Sequence, residues 1–413
     1  NWDIAQDIRG IMYFANGGEN TGLLEFDGEE WKQYYTKYER SIYSLAINST
    51  GKIFAGCRGE FGYFSPDSTG KLSWVNLSDH VPDSLKDFSI IWKIHIIPDP
   101  QNFEDTLICF KSSNNLFLFC EYKEGIKVVS VEKSLFRSYE VNNKIWIPIR
   151  SKGIFSYTKA GLKLLPDTEI FGDELPAAIL PYDSSHVLII TRKNLYLYQT
   201  ASKPLSDYSR ISEKLPINKD NNIVKYFFSS KNIKNTSILE RLINAKIYGG
   251  IQTNTQDYLI YTSQDGAFIL SKEGDMLYHL SSKNELQNDN INNAYSDNEG
   301  RIWLALNDGI SLVRPYDPIS LIHEGDDFTG QILDIIRHNN TLYFSTTQGV
   351  YYICNKVDCT KSSRKYNNTL TTYNPLSISK ENIIKVKDIG AQCHEFAVLD
   401  NNLYVATSSG IYH

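Results

Sequence analysis

The sequence has few of the residues and patterns that build helices. Its 413 residues include only 2 Met, against 27 Tyr and 19 Phe, and Ile238–Ala245 is the one short segment with helical periodicity. Aromatic residues suit a pleated, half-buried surface. We therefore expect an all-β protein.

Other absences narrow the functional classes. No apolar run reaches the roughly 18 to 20 residues of a membrane-spanning helix, and the 8 His never fall in HxH or HExxH spacing. No metal site and no cofactor are therefore predicted. A net charge of −6 argues against binding to nucleic acid, which favours a basic stripe. Because the chain begins with Asn1 rather than Met, we expect a fragment or a processed form of a longer protein.

What the sequence does contain is a repeat, clearest in Ala294–Val313 (AYSDNEGRIWLALNDGISLV). An Asn-Glu-Gly turn precedes a short alternating strand, and an Asn-Asp-Gly turn leads to a second strand, which together indicate a β-hairpin. The residue before the first strand of each such hairpin marks nine units: Gly10, Gly51, Asp105, Asn143, Ser185, Asp257, Gly300, Asn340 and Asn401.

Most of the spacings between these nine markers are close to 40 residues: 41, 54, 38, 42, 72, 43, 40 and 61. A period of about 40 to 45 residues with short strands is typical of β-propeller blades, which are four-stranded antiparallel sheets around a central axis. Two polar stretches, Thr200–Asn222 and Asn355–Pro375, account for long spacings and are predicted to be surface insertions between third and fourth strands.

Four segments carry a family resemblance: NWDIAQDIRGIMYFANG, CRGEFGYFSPD, GRIWLALNDGISLV and IIRHNNTLYFSTTQGVYYI. They resemble the two-component-regulator propeller repeats of Bacteroidetes sensors, and within that group the regulators that carry a triple-tyrosine domain. The resemblance covers all nine units and is most specific in Asn1–Asp67 and Ile291–Tyr352. It implies two seven-bladed propellers in the periplasm, followed by a triple-tyrosine domain, a membrane helix and a cytoplasmic output domain. None of those later parts is present in this sequence.

Applied to this chain, the family layout predicts a first propeller of about seven blades in residues 1–327 and the incomplete start of a second in residues 328–413. Two blades without partners would leave an apolar face and a strand edge exposed. A single propeller of eight or nine blades therefore remains the alternative.

Loops between second and third strands lie around one mouth of a propeller channel, where ligands are expected. The charged residues of these loops form a basic sector and an acidic one, and are the candidate ligand-binding residues: Arg58, Glu60, Lys111, Arg150, Lys152, Arg192, Lys193, Asp265 and Asp308. Arginine pairs with carboxylate or sulfate through two hydrogen bonds, so an acidic oligosaccharide is one hypothesis. Solvated loop tips without a function are the other.

The six Trp offer stacking surfaces for sugars. Trp146 and Trp303 occupy equivalent strand positions and are predicted to be core residues, whereas Trp31, Trp74 and Trp92 are freer to bind; Trp2 is the sixth. Adjacent acids such as those at 29–30, 297/299 and 326–327 are expected to be turn and surface residues, so no catalytic residue is assigned.

Two cysteine pairs invite a disulfide in an oxidising compartment. Cys109 and Cys120 are predicted to face each other across one hairpin, and Cys354 and Cys359 flank a short loop. The alternative for Cys109 and Cys120 is that both are small core residues.

Taken together, the sequence predicts a non-enzymatic periplasmic sensor region of a two-component-type regulator or sensor kinase, with a small-molecule ligand such as a glycan fragment. Membrane attachment would come only through absent downstream segments, and homodimerisation follows from the family resemblance alone. The alternatives are a carbohydrate-active propeller enzyme and a protein-interaction scaffold.

Overall fold

The structure is a computed structural model. It describes residues 1–18, 22–68, 70–121, 125–131, 137–200, 223–226, 234–284, 286–315, 328–353 and 383–413. Contacts divide the chain into two compact units, Asn1–Arg314 and Pro315–His413. The predicted boundary at residue 327 stays a prediction, because residues 316–327 lie outside the described part.

The first unit contains seven antiparallel sheets in its described residues, each built from consecutive strands. The first three sheets have four strands each: β1 Ile4–Gln6, β2 Met12–Asn16, β3 Gly22–Phe26 and β4 Trp31–Tyr34; β5 Ile42–Ile47, β6 Ile53–Cys57, β7 Phe61–Pro66 and β8 Leu72–Asn76; β9 Lys93–Asp99, β10 Asn102–Lys111, β11 Asn115–Cys120 and β12 Ile126–Ser130.

The next three sheets repeat this order: β13 Tyr139–Val141, β14 Lys144–Ile149, β15 Gly153–Thr158 and β16 Gly161–Leu164; β17 Pro176–Pro181, β18 His186–Thr191, β19 Leu195–Gln199 and β20 Ile223–Tyr226; β21 Ile247–Gln252, β22 Tyr258–Thr262, β23 Ala267–Leu270 and β24 Met276–Leu280. The seventh sheet has three described strands: β25 Ile291–Ser296, β26 Ile302–Leu306 and β27 Ile310–Val313. Helix α1, Lys234–Asn244, contains most of the segment with predicted helical periodicity.

Turn chemistry explains why these segments pair as hairpins. In the seventh sheet, Asp297 accepts hydrogen bonds from the backbone amides of Glu299 and Arg301, at 3.0 and 2.9 Å, which fixes the turn before β26. Gly300 in that turn has a φ of 78°, a left-handed conformation that glycine adopts without strain. Asp7 holds the equivalent turn of the first sheet by accepting from the amides of Arg9 and Ile11.

The core lies between neighbouring sheets. Apolar clusters join each sheet of the first unit to the next, and the last cluster joins the seventh sheet to the first through residues such as Trp303 and Phe14. A hydrogen bond also joins the seventh sheet to the start of the chain, since the Asn292 side chain donates through Nδ2 to the carbonyl of Asn1 at 3.0 Å. The seven sheets therefore form a β-propeller ring with the first strand of each sheet innermost.

The second unit has two sheets in its described residues. They consist of β28 Ile332–His338, β29 Thr341–Thr346, β30 Gly349–Ile353 and β31 Ile383–Lys385, and of β32 Cys393–Leu399, β33 Asn402–Thr407 and β34 Gly410–Tyr412. One apolar cluster packs the two sheets together through Val350, Phe396 and Val405. All nine predicted hairpins are thus strand pairs in the structure, whereas the insertions predicted at 200–222 and 355–375 fall almost entirely outside the described residues.

Candidate functional site

The first strands of all seven sheets surround one cavity of about 540 Å³, here called the central cavity. Ligand cavities in proteins typically measure about 300 to 1,000 Å³. The lining is mixed, with aromatic rings, aliphatic side chains and a few charged groups. This cavity is therefore the first candidate site in the described structure.

Backbone irregularities aim several side chains at this cavity. The register of the first strand shifts near its start in four sheets of the first unit, between Ile42 and Ser44, Pro176 and Ala178, Ile247 and Gly249, and Ile291 and Asn293. A bulge of this kind inserts an extra residue and redirects its side chain. The four inserted residues all line the central cavity: Tyr43, Ala177, Tyr248 and Asn292.

Three aromatic side chains from consecutive sheets form one wall, here called the aromatic arc. Tyr43 lies between Trp2 and Trp92, with ring centroids 5.6 Å from each, and the two Trp rings are 6.3 Å apart. All three rings are half-buried and line the cavity. They offer an apolar surface, and their edges and faces suit the stacking of a flat or sugar-like ligand.

Asp3 connects four sheets beside this wall and is 3% exposed. Its carboxylate accepts hydrogen bonds from the amides of Ile4 and Leu45 at 3.1 and 3.0 Å. The Asn293 side chain donates to it at 2.6 Å, and the Lys93 ammonium lies 3.1 Å away. The first, second, third and seventh sheets therefore meet at one carboxylate.

The opposite wall carries a cation among tyrosines. The guanidinium of Arg137 donates to the carbonyl of Ala177 at 2.7 Å and lies 4.7 Å from the centroid of the Tyr248 ring. The Tyr139 hydroxyl donates to the carbonyl of Pro176 at 2.7 Å. Desolvation raises the pKa of Tyr139, which keeps this phenol neutral and able to donate.

Two further titratable groups line the cavity. His95 accepts or donates a 2.7 Å hydrogen bond with the Ser138 hydroxyl, and burial, with Lys93 and Lys111 nearby, lowers its pKa to about 3. The imidazole is therefore neutral at physiological pH. Desolvation raises the pKa of Glu140, which also lines the cavity.

The sequence placed the candidate residues in the loops between second and third strands, and the structure puts most of them there. Six are at or near the surface in these loops: Arg58, Arg150, Lys152, Arg192, Lys193 and Asp308. None of them lines the central cavity. Their role in ligand binding stays a prediction.

Three of the predicted residues differ from the expectation of solvated tips. Lys111 is fully buried at the end of β10, donates to the carbonyls of Ser112 and Ser113, and has a pKa lowered to about 7 by burial. Glu60 is 1% exposed and accepts from Trp74 Nε1 at 2.9 Å. Asp265 is half-buried and pairs with Arg241 at 2.9 Å. Neighbouring connections pack over these loops and remove the three side chains from solvent. The pattern of a single hairpin does not predict this packing.

The tryptophans divide as the sequence indicated, with one refinement. Trp146 and Trp303 are core residues, each 4% exposed. Of the remaining four, only Trp2 and Trp92 reach the central cavity. The sequence contained a signal for the aromatic arc, because Trp2 and Trp92 come just before the first strands of their sheets. The alignment of hairpins missed it, because it compares only second and third strands.

The predicted pairing of Cys109 with Cys120 is wrong in register. Cys109 lies opposite Leu118, and Cys120 lies opposite Leu107. Residues related diagonally in this way have Cα atoms about 7 to 8 Å apart, too far for most disulfides. Both thiols are free and buried in one apolar cluster, as the core alternative has it. Cys354 and Cys359 lie outside the described residues.

Solved structures resemble this chain over its whole length at low identity. The extracellular domain of the putative one component system BT4673 from B. thetaiotaomicron matches with a TM-score of 0.50 and 16% identity, covering 99% of this chain and 50% of that one. The corresponding domain of the putative hybrid two component system BT3049 matches with a TM-score of 0.52 and 14% identity, covering 100% and 56%. This chain thus spans about half the length of these extracellular domains.

An enzyme is also among the similar structures. Streptogramin B lyase matches with a TM-score of 0.51 and 14% identity, covering 75% of this chain and 92% of that one. At such identities the likeness establishes the fold alone, a β-propeller. No family model matches the sequence, and no curated protein does either. In the described residues, no helix has the length and apolar character needed to cross a membrane.

Proposed function

We propose that this chain is an extracytoplasmic ligand-sensing region of a two-component-type regulator or sensor kinase, and that its ligand binds in the central cavity. The observation that carries the proposal is this cavity, which is lined by the first strands of all seven sheets. A ligand there would contact every sheet at once, so its binding would change how the sheets pack. The similarity to extracellular sensor domains of B. thetaiotaomicron supports this role.

The ligand we propose is a short glycan fragment. The aromatic arc supplies rings for stacking on sugar faces, and Asp3, Asn293 and Tyr261 form a chain of hydrogen-bonding groups beside it. Lys93 and Arg137 provide two cations that suit an acidic sugar, and the exposed Arg150 and Arg192 would raise the local concentration of such a ligand. We therefore expect stacking of sugar rings on the aromatic arc to contribute more to ligand binding than attraction between the cations and an acidic group.

The test is thermal unfolding of the full chain with matched neutral and acidic oligosaccharides. A ligand at about a hundred times its dissociation constant stabilises the folded state by roughly 2.7 kcal/mol, which is a measurable shift. Trp92→Ala should abolish the shift. Trp31→Ala is the matched control, because Trp31 is 49% exposed and lies outside the cavity lining.

The acidic preference has its own arm. If charge contributes, acidic fragments will give the larger shift, and the Arg150→Ala/Arg192→Ala variant will reduce it mainly at low salt. Absence of a shift with every glycan, or a shift that survives Trp92→Ala, would show that the central cavity does not bind glycans.

A further inference from the structure

A second, smaller pocket of about 120 Å³ lies where three connections of the second sheet meet, and we call it the side pocket. The segment entering the sheet contributes Tyr38 and Arg40, the loop between β6 and β7 contributes Glu60, and the segment leaving the sheet contributes Asp79, Lys86 and Phe88. It shares no lining residue with the central cavity. The two pockets can therefore be tested separately.

The Glu60 carboxylate faces this pocket in an incompletely satisfied state. Its side chain is 2% exposed, and Oε1 accepts a hydrogen bond from Trp74 Nε1 at 2.9 Å. Oε2 is buried and has no hydrogen-bond partner among the described residues. Such a group is costly in a folded protein and signals a missing partner.

Arg40 forms an ion pair with Glu60 but does not donate the missing hydrogen bond. Its Nε atom is 3.7 Å from Glu60 Oε2, beyond hydrogen-bond range, and its Nη1 atom donates instead to the carbonyl of Arg58. The Arg40 side chain is 39% exposed, so it can rotate without unpacking the core. Rotation would open Oε2 to a donor that enters from solvent.

The charges around the pocket are balanced. Glu60 and Asp79 are acceptors, while Arg40 and Lys86 are donors, and Tyr38 and Phe88 supply aromatic walls. A carboxylate that lacks a donor favours an ammonium group, and a cation at the rim favours a carboxylate. We propose that the side pocket binds a small zwitterion of the α-amino acid type, with its ammonium on Glu60 and its carboxylate on Lys86 and Arg40.

The experiment is isothermal titration calorimetry of the full chain with three related ligands: L-alanine, ethylamine, which lacks the carboxylate, and propionate, which lacks the ammonium. L-alanine is expected to bind with a dissociation constant in the millimolar range or below. The other two ligands should bind at least about tenfold more weakly, because each loses one set of charge-assisted hydrogen bonds, which are about twice as strong as neutral ones. Glu60→Gln should weaken L-alanine binding by at least about tenfold. Its amide oxygen can still accept from Trp74, so the fold should persist.

Lys86→Gln is the second variant and keeps the test valid if Glu60→Gln fails to fold, because Lys86 is exposed. It should also weaken L-alanine binding, whereas Trp92→Ala in the central cavity should leave it unchanged. The proposal is overturned if none of the three ligands binds, if propionate binds as well as L-alanine, or if Trp92→Ala abolishes the L-alanine signal. Because glycan binding is measured separately, failure here leaves the sensing proposal untouched.

Discussion

The two units use the same local design with different results. In the first unit, Asp3 accepts from the amide of Ile4 and from Leu45 on the next sheet. In the second, Asp334 accepts from the amide of Ile335 at 2.8 Å and from Phe396 on the next sheet at 2.7 Å. Yet Ile4 is 4% exposed and Ile335 is 55% exposed.

Exposure of the second unit is not limited to one residue. Large apolar side chains on its two first strands are exposed, including Leu333, Val398 and Leu399, and register shifts occur where the first unit has its bulges. The repeat therefore specifies sheets and turns by itself, whereas the burial of apolar side chains on a sheet depends on how many neighbouring sheets it has.

The largest expected effect is at the two aspartates. Asp3→Ala removes a buried carboxylate and leaves the Lys93 ammonium, the Asn293 amide and two backbone amides without their partner, so it should destabilise the first unit by about 3 to 5 kcal/mol. Asp334→Ala, at a half-buried position, should cost only about 1 kcal/mol, because water replaces the lost acceptor.

Hydrogen-exchange mass spectrometry in denaturant would follow peptides from β1 and β5 separately from those of β28 and β32. Equal losses of protection in the two variants would show that Asp3 does not join the sheets of the ring more strongly than Asp334 joins its two.

An acid-dependent effect is expected in the first unit through His95. Burial lowers the pKa of His95 to about 3 in the folded state, below the ordinary value of 6.5, so the folded state binds fewer protons than the unfolded state. The stability it contributes is present above pH 6.5 and is lost as the pH falls toward 3, by about 3 kcal/mol at pH 4. His95→Gln should flatten this part of the pH profile.

Urea unfolding between pH 7 and pH 4 gives the measurement, and His394→Gln, at an exposed position of the second unit, is the control. Unchanged acid sensitivity in His95→Gln would assign the loss of stability to the carboxylates instead.

The smallest difference should come from matched isoleucines. Ile4→Ala should destabilise the first unit by about 2 to 4 kcal/mol, because Ile4 packs against Met12 and Trp303 in a buried cluster. Ile335→Ala should change the second unit by no more than about 0.5 kcal/mol, as expected for an exposed site. Thermal unfolding of both variants tests this pair, and a large loss at Ile335 would mean that this face is covered in solution.

The sequence by itself determined the hairpins. Alternation and turn residues predict the second and third strands and the loops between them, in which residues such as Arg58 and Asp308 lie. They also predict the short helix and the core positions of Trp146 and Trp303. These features depend on residues a few positions apart, so the local sequence pattern is enough to predict them. The remaining features depend on contacts between sheets.

Only the tertiary structure decided which side chains meet. The central cavity is formed by the first strands, whose bulges no hairpin pattern predicts. The four residues that contact the Asp3 carboxylate lie up to 290 positions away from it in the sequence. Burial of Glu60 and Lys111 likewise depends on neighbouring connections folding over the loops. Local turn and strand chemistry is encoded within each repeat, but burial and charge pairing arise only when the repeats close around a common axis.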